Sequence, residues 1–506
     1  MEKGKERKVY DYNQEKVQES LLRIFRSSKR EATVADLAGL TGLPLQQIQA
    51  EMPALSDEYR GRLKVTESGE ILYSFPDGLK SRYRGFGPAM KKIWKAVKKG
   101  VIEISKALFK AWIVLMLVGY FVLFIALALF AMIASIAMQQ GGSGRSSRSD
   151  SRGGGGLGGL WLTGRLFDSI IRIWFYSELF KSPETRFRQA QSRAQRRPLH
   201  KAVFSHVFGD GDPNQGWAET EKKAVVAFLQ THKGVMTMPE FIAITGRTPQ
   251  DAETTISSYL LEFEGTPEVT ENGALYFSFP KLLARIGTTP DIYGSSAPLK
   301  KLKSFSSNTK KADNTFRLIN LANVLFGGYF LANAISVGNM FYINTARGLA
   351  LRGGFPFLYS ATGYLFEMLG SANPVNLIFW GLGITPLFFS ILFFAVPILR
   401  SIRLSRENEQ IKAENLRKIM ANRILVQPLN FVPAVIEPMV PEAAPANPRT
   451  AELVSKELAA WAQAEPIEGT YRFDRIYEVQ KEIESIRSRI DIDSLKPGKT
   501  IFDSHA

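Results

Sequence analysis

Residues 208–214 read FGDGDPN, and their oxygen-bearing side chains stand at alternate positions. Asp210, Asp212 and Asn214 occupy the first, third and fifth places of a loop whose twelfth residue is Glu221. That is the ligand spacing of a calcium loop. The sixth place is Gln215, where such a loop turns on glycine, and Pro213 lies inside it. The residues therefore favour a tight turn leading into a helix, with calcium binding as the weaker alternative. The chain has no cysteine, which excludes disulfides, thiolate zinc sites, cysteine-ligated clusters and a cysteine nucleophile. His200, His206, His232 and His505 show no metal-ligand spacing. No nucleophile–base pair stands out, so neither an enzyme nor a cofactor is expected.

The elements that would carry any site fall into apolar and charged stretches. Residues 111–138, 318–346 and 377–399 carry no charge and are long enough to cross a bilayer, which needs ~20 apolar residues. Residues 157–180 are apolar but contain Arg165, Asp168, Arg172 and Glu178. They read as an interfacial amphipathic helix or as a span with its charges turned inward. Basic residues flank these segments. Between 80 and 110 there are ten Lys and Arg against the single acid Glu103, and Arg400, Arg403 and Arg406 follow the last span. The positive-inside rule puts all such flanks on the cytoplasmic side, which favours four crossings. The net charge of +16 is then a membrane signature. Lys91, Lys92, Lys95, Lys98 and Lys99 are the expected contacts with the lipid surface. Residues 141–159 (GGSGRSSRSDSRGGGGLGG) form a flexible linker by composition.

The soluble stretches contain an internal repeat. Residues 65–76 read VTESGEILYSFP and residues 269–280 read VTENGALYFSFP, identical at seven of twelve places at an offset of 204 residues. Thr41-Gly42 and Thr245-Gly246 match at the same offset. A duplicated module explains this. In each copy the periodicity predicts three short helices and a hairpin. These are 14–28, 34–40 after the cap Thr33, 44–55 limited by Pro53, then strands around Glu67-Ser68-Gly69. The second set is 219–231, 238–245 and 248–263, with strands around Glu271-Asn272-Gly273. That is the order of a winged helix. Its third helix often reads DNA with Arg and Lys. Here residues 44–57 and 248–264 contain acids and no base, so nucleic acid is disfavoured and a protein partner preferred. The expected partner-binding residues are Gln46, Gln47 and Glu51 in the first copy, and Asp251, Glu253 and Glu262 in the second.

Asn320, Asn323, Gly327, Ala334 and Gly338 form a small and polar helical stripe, expected to be a helix packing seam. Phe473, Ile476, Val479, Ile483 and Ile486 recur at helical spacing near the C-terminus. That helix is expected either to bind a partner or second copy, or to pack on the modules.

With AVFSHVFGDGDPNQG (202–216), the paired hairpin motifs and FFAVPILR (393–400), the chain resembles a family of uncharacterised membrane proteins of bacteria, cyanobacteria and plastids. Plant members carry an iron–sulfur cluster biosynthesis label, which the absence of cysteine leaves without chemical support. The resemblance implies an architecture and no activity.

The expected fold is a mainly α membrane protein with about four transmembrane helices and two small α+β winged-helix-like modules. The first module is 1–80, followed by a basic juxtamembrane helix (81–110), a transmembrane helix (111–138) and the linker (139–156). The marginal helix (157–180) and a basic segment with the FGDGDPN loop (181–217) lead to the second module (218–282). A basic linker (283–317), a transmembrane helix (318–346), a loop or re-entrant segment (347–376), a last transmembrane helix (377–399) and a helical tail with a Pro-rich stretch (400–506) complete the chain. The expected role is a scaffold or adaptor in the bacterial cytoplasmic membrane, with both termini cytoplasmic. A transporter or channel component and a membrane-tethered DNA-binding regulator are the alternatives.

Overall fold

A computed structural model describes residues 12–27, 31–76, 78–79, 86–140, 198–286, 298–345, 348–433 and 448–504. The marginal segment 157–180 lies outside the described residues. Mostly helical, with small sheets, the chain divides into two compact units built from interleaved stretches. Unit 1 collects Met1–Lys92, Asp212–Lys303 and Ser405–Ala506, and unit 2 collects Ile93–Gly211 and Ser304–Leu404.

In chain order the elements begin with α1 (Gln14–Ser27), α2 (Val34–Thr41), α3 (Leu45–Tyr59), β1 (Arg62–Thr66) and β2 (Ile71–Ser74). The next element is a long helical rod, made of α4 (Phe86–Val114), a π-helical stretch Leu115–Gly119 and α5 (Tyr120–Gln140). Then come α6 (Leu199–Phe208), α7 (Trp217–Thr231), β3 (Val235–Thr237), α8 (Met238–Thr245), α9 (Pro249–Glu262), β4 (Thr266–Val269) and β5 (Leu275–Ser278). Next are α10 (Lys310–Ser336), the hairpin β6 (Tyr342–Thr345) and β7 (Gly348–Leu351), and α11 (Phe357–Met368). A second π stretch, Leu377–Ile384, leads into α12 (Thr385–Val426). The chain closes with α13 (Pro448–Trp461), β8 (Glu465–Ile467), β9 (Thr470–Arg472), α14 (Asp474–Arg489) and β10 (Thr500–Asp503).

Within unit 1 the same backbone devices recur 204 residues apart. Thr33 and Asp36 close a capping box at the start of α2, and Thr237 and Glu240 close one at the start of α8. Gly42 and Gly246 end those helices in the left-handed region, at φ 72° and 70°, where a Cβ is unwelcome. Arg60 and Glu264 both adopt φ 53° after the third helix. The helix expected to be limited by Pro53 continues to Tyr59. Met52 and Leu55 on either side of the proline are buried in the core, and that packing outweighs one missing N–H. Gly69 and Gly273 take the positive φ of each hairpin turn.

One continuous apolar core joins both helix-and-hairpin modules to the C-terminal helices. Leu37, Ile48 and Phe75 of the first and Phe241, Ile256 and Phe279 of the second share it with Met420 of α12, Leu458 of α13 and Ile476 of α14. Val479, Ile483 and Ile486 of α14 pack with Val235 and Tyr276. The C-terminal helix therefore spends its apolar face on its own chain, which decides between the two expectations for it.

Unit 2 contains the apolar helices. Gly100–Ile136, Lys310–Ser336 and Pro374–Val426 are the three stretches long and apolar enough to cross a membrane among the described residues. The last is apolar only over 377–399 and charged from Arg400 on. In place of the expected span over 318–346, the helix starts earlier, at Lys310, and ends at Ser336. Gly338 turns the chain at φ 57° and residues 342–345 are already a strand. The expected loop 347–376 holds the second strand of that hairpin and α11. The small and polar stripe of α10 is a packing seam: Asn320 donates to the carbonyl of Ser390 (2.9 Å), and Asn323 to that of Leu117 (2.8 Å). Leu117 lies in the first π stretch. A Cβ on Gly327 would sit 3.0 Å from Leu387.

Candidate functional site

The FGDGDPN motif serves the two units by halves. In unit 2, α6 ends at Gly209 (φ 84°), and Asp210 accepts from the Ser205 hydroxyl (2.7 Å), the Ser307 amide (2.7 Å) and the Ser307 hydroxyl (2.6 Å). Arg400 donates to the carbonyls of Ser205 (3.2 Å), His206 (3.0 Å) and Phe305 (2.6 Å), and lies over the Phe305 ring. His206 Nδ1 is 3.1 Å from Asp313 Oδ1, while Ser306 donates to the other oxygen of Asp313 at 2.5 Å. The carboxylate thus stands between histidine and serine, so this is no nucleophile–base relay. Burial pushes the His206 imidazole below its ordinary value, with Asp313 opposing.

In unit 1, Asp212 pairs with Lys303 (2.9 Å) and accepts from the Asn214 amide (2.9 Å). The Asn214 side chain exchanges two 2.8 Å hydrogen bonds with the backbone of Lys301. Glu221 is buried and accepts from Arg247 (2.7 Å) and the Tyr259 hydroxyl (3.2 Å). Each of these side chains already has N–H or O–H partners, and among the described residues no group of three or more His, Asp and Glu could hold a metal. Residues 213–216 form turns that lead into α7.

Around Trp217 lies the most heavily buried charge among the described residues of unit 1. Lys418 is 1% exposed, lies over the Trp217 ring (4.6 Å) and donates to the Pro298 carbonyl (2.9 Å). Burial lowers its ammonium to about 8, against the pull of Glu414 and Glu221. A small open cleft of about 150 Å³ borders Trp217, with Asn214, Thr220 and Lys301 among its walls. It lacks a facing acid–base pair and is small for a cofactor, since ligand pockets run to ~300 Å³ or more. The arrangement is a structural polar core that fixes α12 against α7.

The expected partner surface is only partly exposed. Gln46 and Gln47 are half-buried on α3. Glu51 is buried, accepting from the Tyr12 hydroxyl (2.8 Å) and Gln18 (2.7 Å), so it is not a surface group. Its carboxylate and burial together push the Tyr12 phenol up to about 12, burial being the larger cause. Glu262 pairs with Lys222. Asp251 is exposed but accepts from the Thr248 hydroxyl (2.7 Å) at the start of α9, and Glu253 is exposed. Lys91, Lys92, Lys95, Lys98 and Lys99 lie on α4, where Lys98 is exposed.

Two contacts of the tail have no signal in the sequence. β10 adds to the outer edge of β1, giving the sheet order β10-β1-β2. Glu482 of α14 accepts from Thr270 (2.5 Å) and Asn272 (2.8 Å) in the second hairpin turn.

Fold and geometry together define a two-unit, mostly helical chain in which apolar helices and a charged compact unit are segregated. The chain is similar to an uncharacterized chloroplastic protein of Arabidopsis thaliana, 23% identical over 423 residues that cover 79% of this chain and 71% of the plant protein. No protein-family model matches the chain, and no solved structure matches it.

Proposed function

We propose that this chain is an integral membrane scaffold or adaptor. Unit 2 anchors it, and unit 1, with two winged-helix-like modules arisen by duplication, recruits a protein partner. The observation that carries this is the segregation of exposed apolar side chains. Leu108, Leu115, Ile133, Leu325, Ile335, Phe388 and Ile398 stand outward on the long helices of unit 2, as a lipid-facing surface requires. Unit 1 instead gathers most of its buried apolar residues into one large core, with Leu261, Val269, Leu453 and Ile501 among those left exposed on its surface.

The order helix, strand, helix, helix, hairpin in 217–278, with β3 beside β5, supports the winged-helix reading. Both third helices, α3 and α9, lack Lys and Arg, which favours a protein over DNA. With 157–180 as a fourth crossing, the basic flanks share one side together with both termini. The membrane is the bacterial cytoplasmic membrane, or a plastid membrane in keeping with the chloroplastic relative. A transporter needs a polar route, and Asn320 and Asn323 of α10 spend their amide N–H groups on helix packing instead.

The test is affinity purification of the detergent-solubilised chain, with and without nuclease, and mass spectrometry of the co-purifying species. The expected result is a defined protein set that survives nuclease and falls at least tenfold for the Asp251→Lys, Glu253→Lys double variant. Specific nucleic acid would move the reading to a regulator, and no partner at all to a transporter.

A further inference from the structure

We infer that the outer edge of β1 is a strand-addition site for an extended, acid-bearing segment of a partner protein, and that β10 is its displaceable internal occupant. This rests on the adaptor reading in one respect, that the chain has protein partners.

The hydrogen-bonding rhythm of the hairpin sets the edge. The Thr66 amide donates to Glu70, so Arg62, Lys64 and Thr66 face β2, and the backbone groups of Leu63 and Val65 face outward. β10 takes them up antiparallel. The Ser504 amide donates to the Leu63 carbonyl (2.9 Å), the Leu63 amide to the Ser504 hydroxyl (3.0 Å), and the Glu67 amide to the Lys499 carbonyl (3.0 Å). Arg62 adds an ion pair to Asp503, with Nε 2.8 Å from Oδ1.

Apolar burial contributes little to this strand. Ile501 and Phe502 remain 67% and 58% exposed. Main-chain hydrogen bonds can be given equally by any extended segment, so a strand held by them is exchangeable. The required chemistry comes from the register. Phe502 lies opposite Val65, which lies opposite Ile71, and Asp503 meets Arg62. A competing segment is therefore an extended stretch with an apolar residue followed by an acid.

The second hairpin supplies an independent observation. The Thr270 amide donates to Ala274, so residues 267 and 269 face outward on β4, which is an edge of its sheet. The residue at 267 is proline, which has no N–H to offer. The edge without an internal strand is blunted, and the unblunted edge carries one.

The tether keeps β10 at a local concentration in the millimolar range, so a free peptide competes poorly until the latch is weakened. The experiment uses the full chain in detergent and a fluorescent peptide of residues 498–504, GKTIFDS. Asp503→Lys sets a cation against Arg62 and should raise the affinity for the peptide at least tenfold over the parent chain. Arg62→Glu should abolish binding, and a peptide with lysine at the aspartate position should restore it to that variant. Equal binding irrespective of residue 62, or no binding to any variant, overturns the inference. Hydrogen exchange gives a second readout: Thr500–Asp503 should open before Ile71–Ser74, and their joint exchange at the rate of global unfolding would make β10 a permanent strand. If the peptide fails while affinity purification still returns a partner, the adaptor reading stands and this inference alone is lost.

Discussion

Leu63 and Pro267 occupy equivalent places on two hairpins 204 residues apart, each facing outward from its sheet. Around them the backbones agree, from the capping boxes at Thr33 and Thr237 to the left-handed residues Arg60 and Glu264. The edges differ. Leu63 offers an N–H and a carbonyl and receives the tail, whereas Pro267 offers no N–H and β4 is left as an edge. Shape is set by backbone devices that tolerate sequence change, while the choice of neighbour is set by single groups on the rim. The modules also differ in what the tail does to them. The first gains a strand, and the second gains helices at Gly246, Glu240 and the hairpin turn.

The largest expected asymmetry is at the two helix-ending glycines. A Cβ on Gly246 would lie 2.5 Å from the Glu414 carbonyl of α12, in addition to its left-handed backbone. Gly246→Ala should cost about 3 kcal/mol or more, from strain and forced displacement of α12. On Gly42 the nearest atom, the Glu219 carbonyl, would be 3.0 Å away, so Gly42→Ala should cost only about 1–2 kcal/mol. Denaturant unfolding in detergent measures both, and equal costs would break the asymmetry.

The capping acids come next. Glu240 also holds Arg487 of α14 at 2.9 Å, with both side chains nearly buried, so Glu240→Ala should cost on the order of 3 kcal/mol by stranding that cation. Asp36 caps α2, accepts from the Ile286 amide (3.2 Å) and attracts the Arg285 guanidinium, which is only half-buried, so Asp36→Ala should cost about 1–2 kcal/mol, near the usual value of a lost cap. The same unfolding curves separate these two values.

Lys418 gives a pH test of the second module alone. Its ammonium titrates at about 8 when folded and near 10.5 when unfolded, so between those values the unfolded chain binds the extra proton. Stability from this group therefore rises as pH climbs from about 8 to 10.5, and is lost as pH falls back. The difference from Lys418→Met across that window should approach on the order of 3 kcal/mol at most, read as midpoint against pH. A flat difference would mean that the lysine is solvated.

The smallest effect on stability belongs to the residue that draws the contrast. Pro267→Thr restores an outward N–H on an exposed strand and should stay within about 0.5 kcal/mol of the parent, as surface changes do. It should nevertheless raise self-association, seen by light scattering, because an open edge pairs with other strands.

Much of the fold is legible in the sequence because its signals are local. Met238–Thr245 is readable to the residue from a threonine cap and a terminal glycine, and the hairpin turns from their glycines. β3 and β10 escape notice, since strands of three and four residues carry almost no period. α13 is hidden beside a Pro-rich stretch. The site residues are less legible. The calcium spacing counts positions but not directions: Glu221 lies past the break at Gly216 (φ 84°), on α7, facing Arg247. Glu51 looks exposed in sequence because its partners Tyr12 and Gln18 are distant in the chain. The two edges depend on strand register, which the alternation of side chains alone does not give.

The most direct measurement places a photoreactive side chain at Val65 in one chain and at Val269 in another, each expressed in native membranes and irradiated. The account predicts an adduct between Val65 and the Phe502 region of the same chain, together with a cross-link to a second protein, and no protein adduct from Val269. A protein adduct from Val269, with only the internal one from Val65, would contradict it.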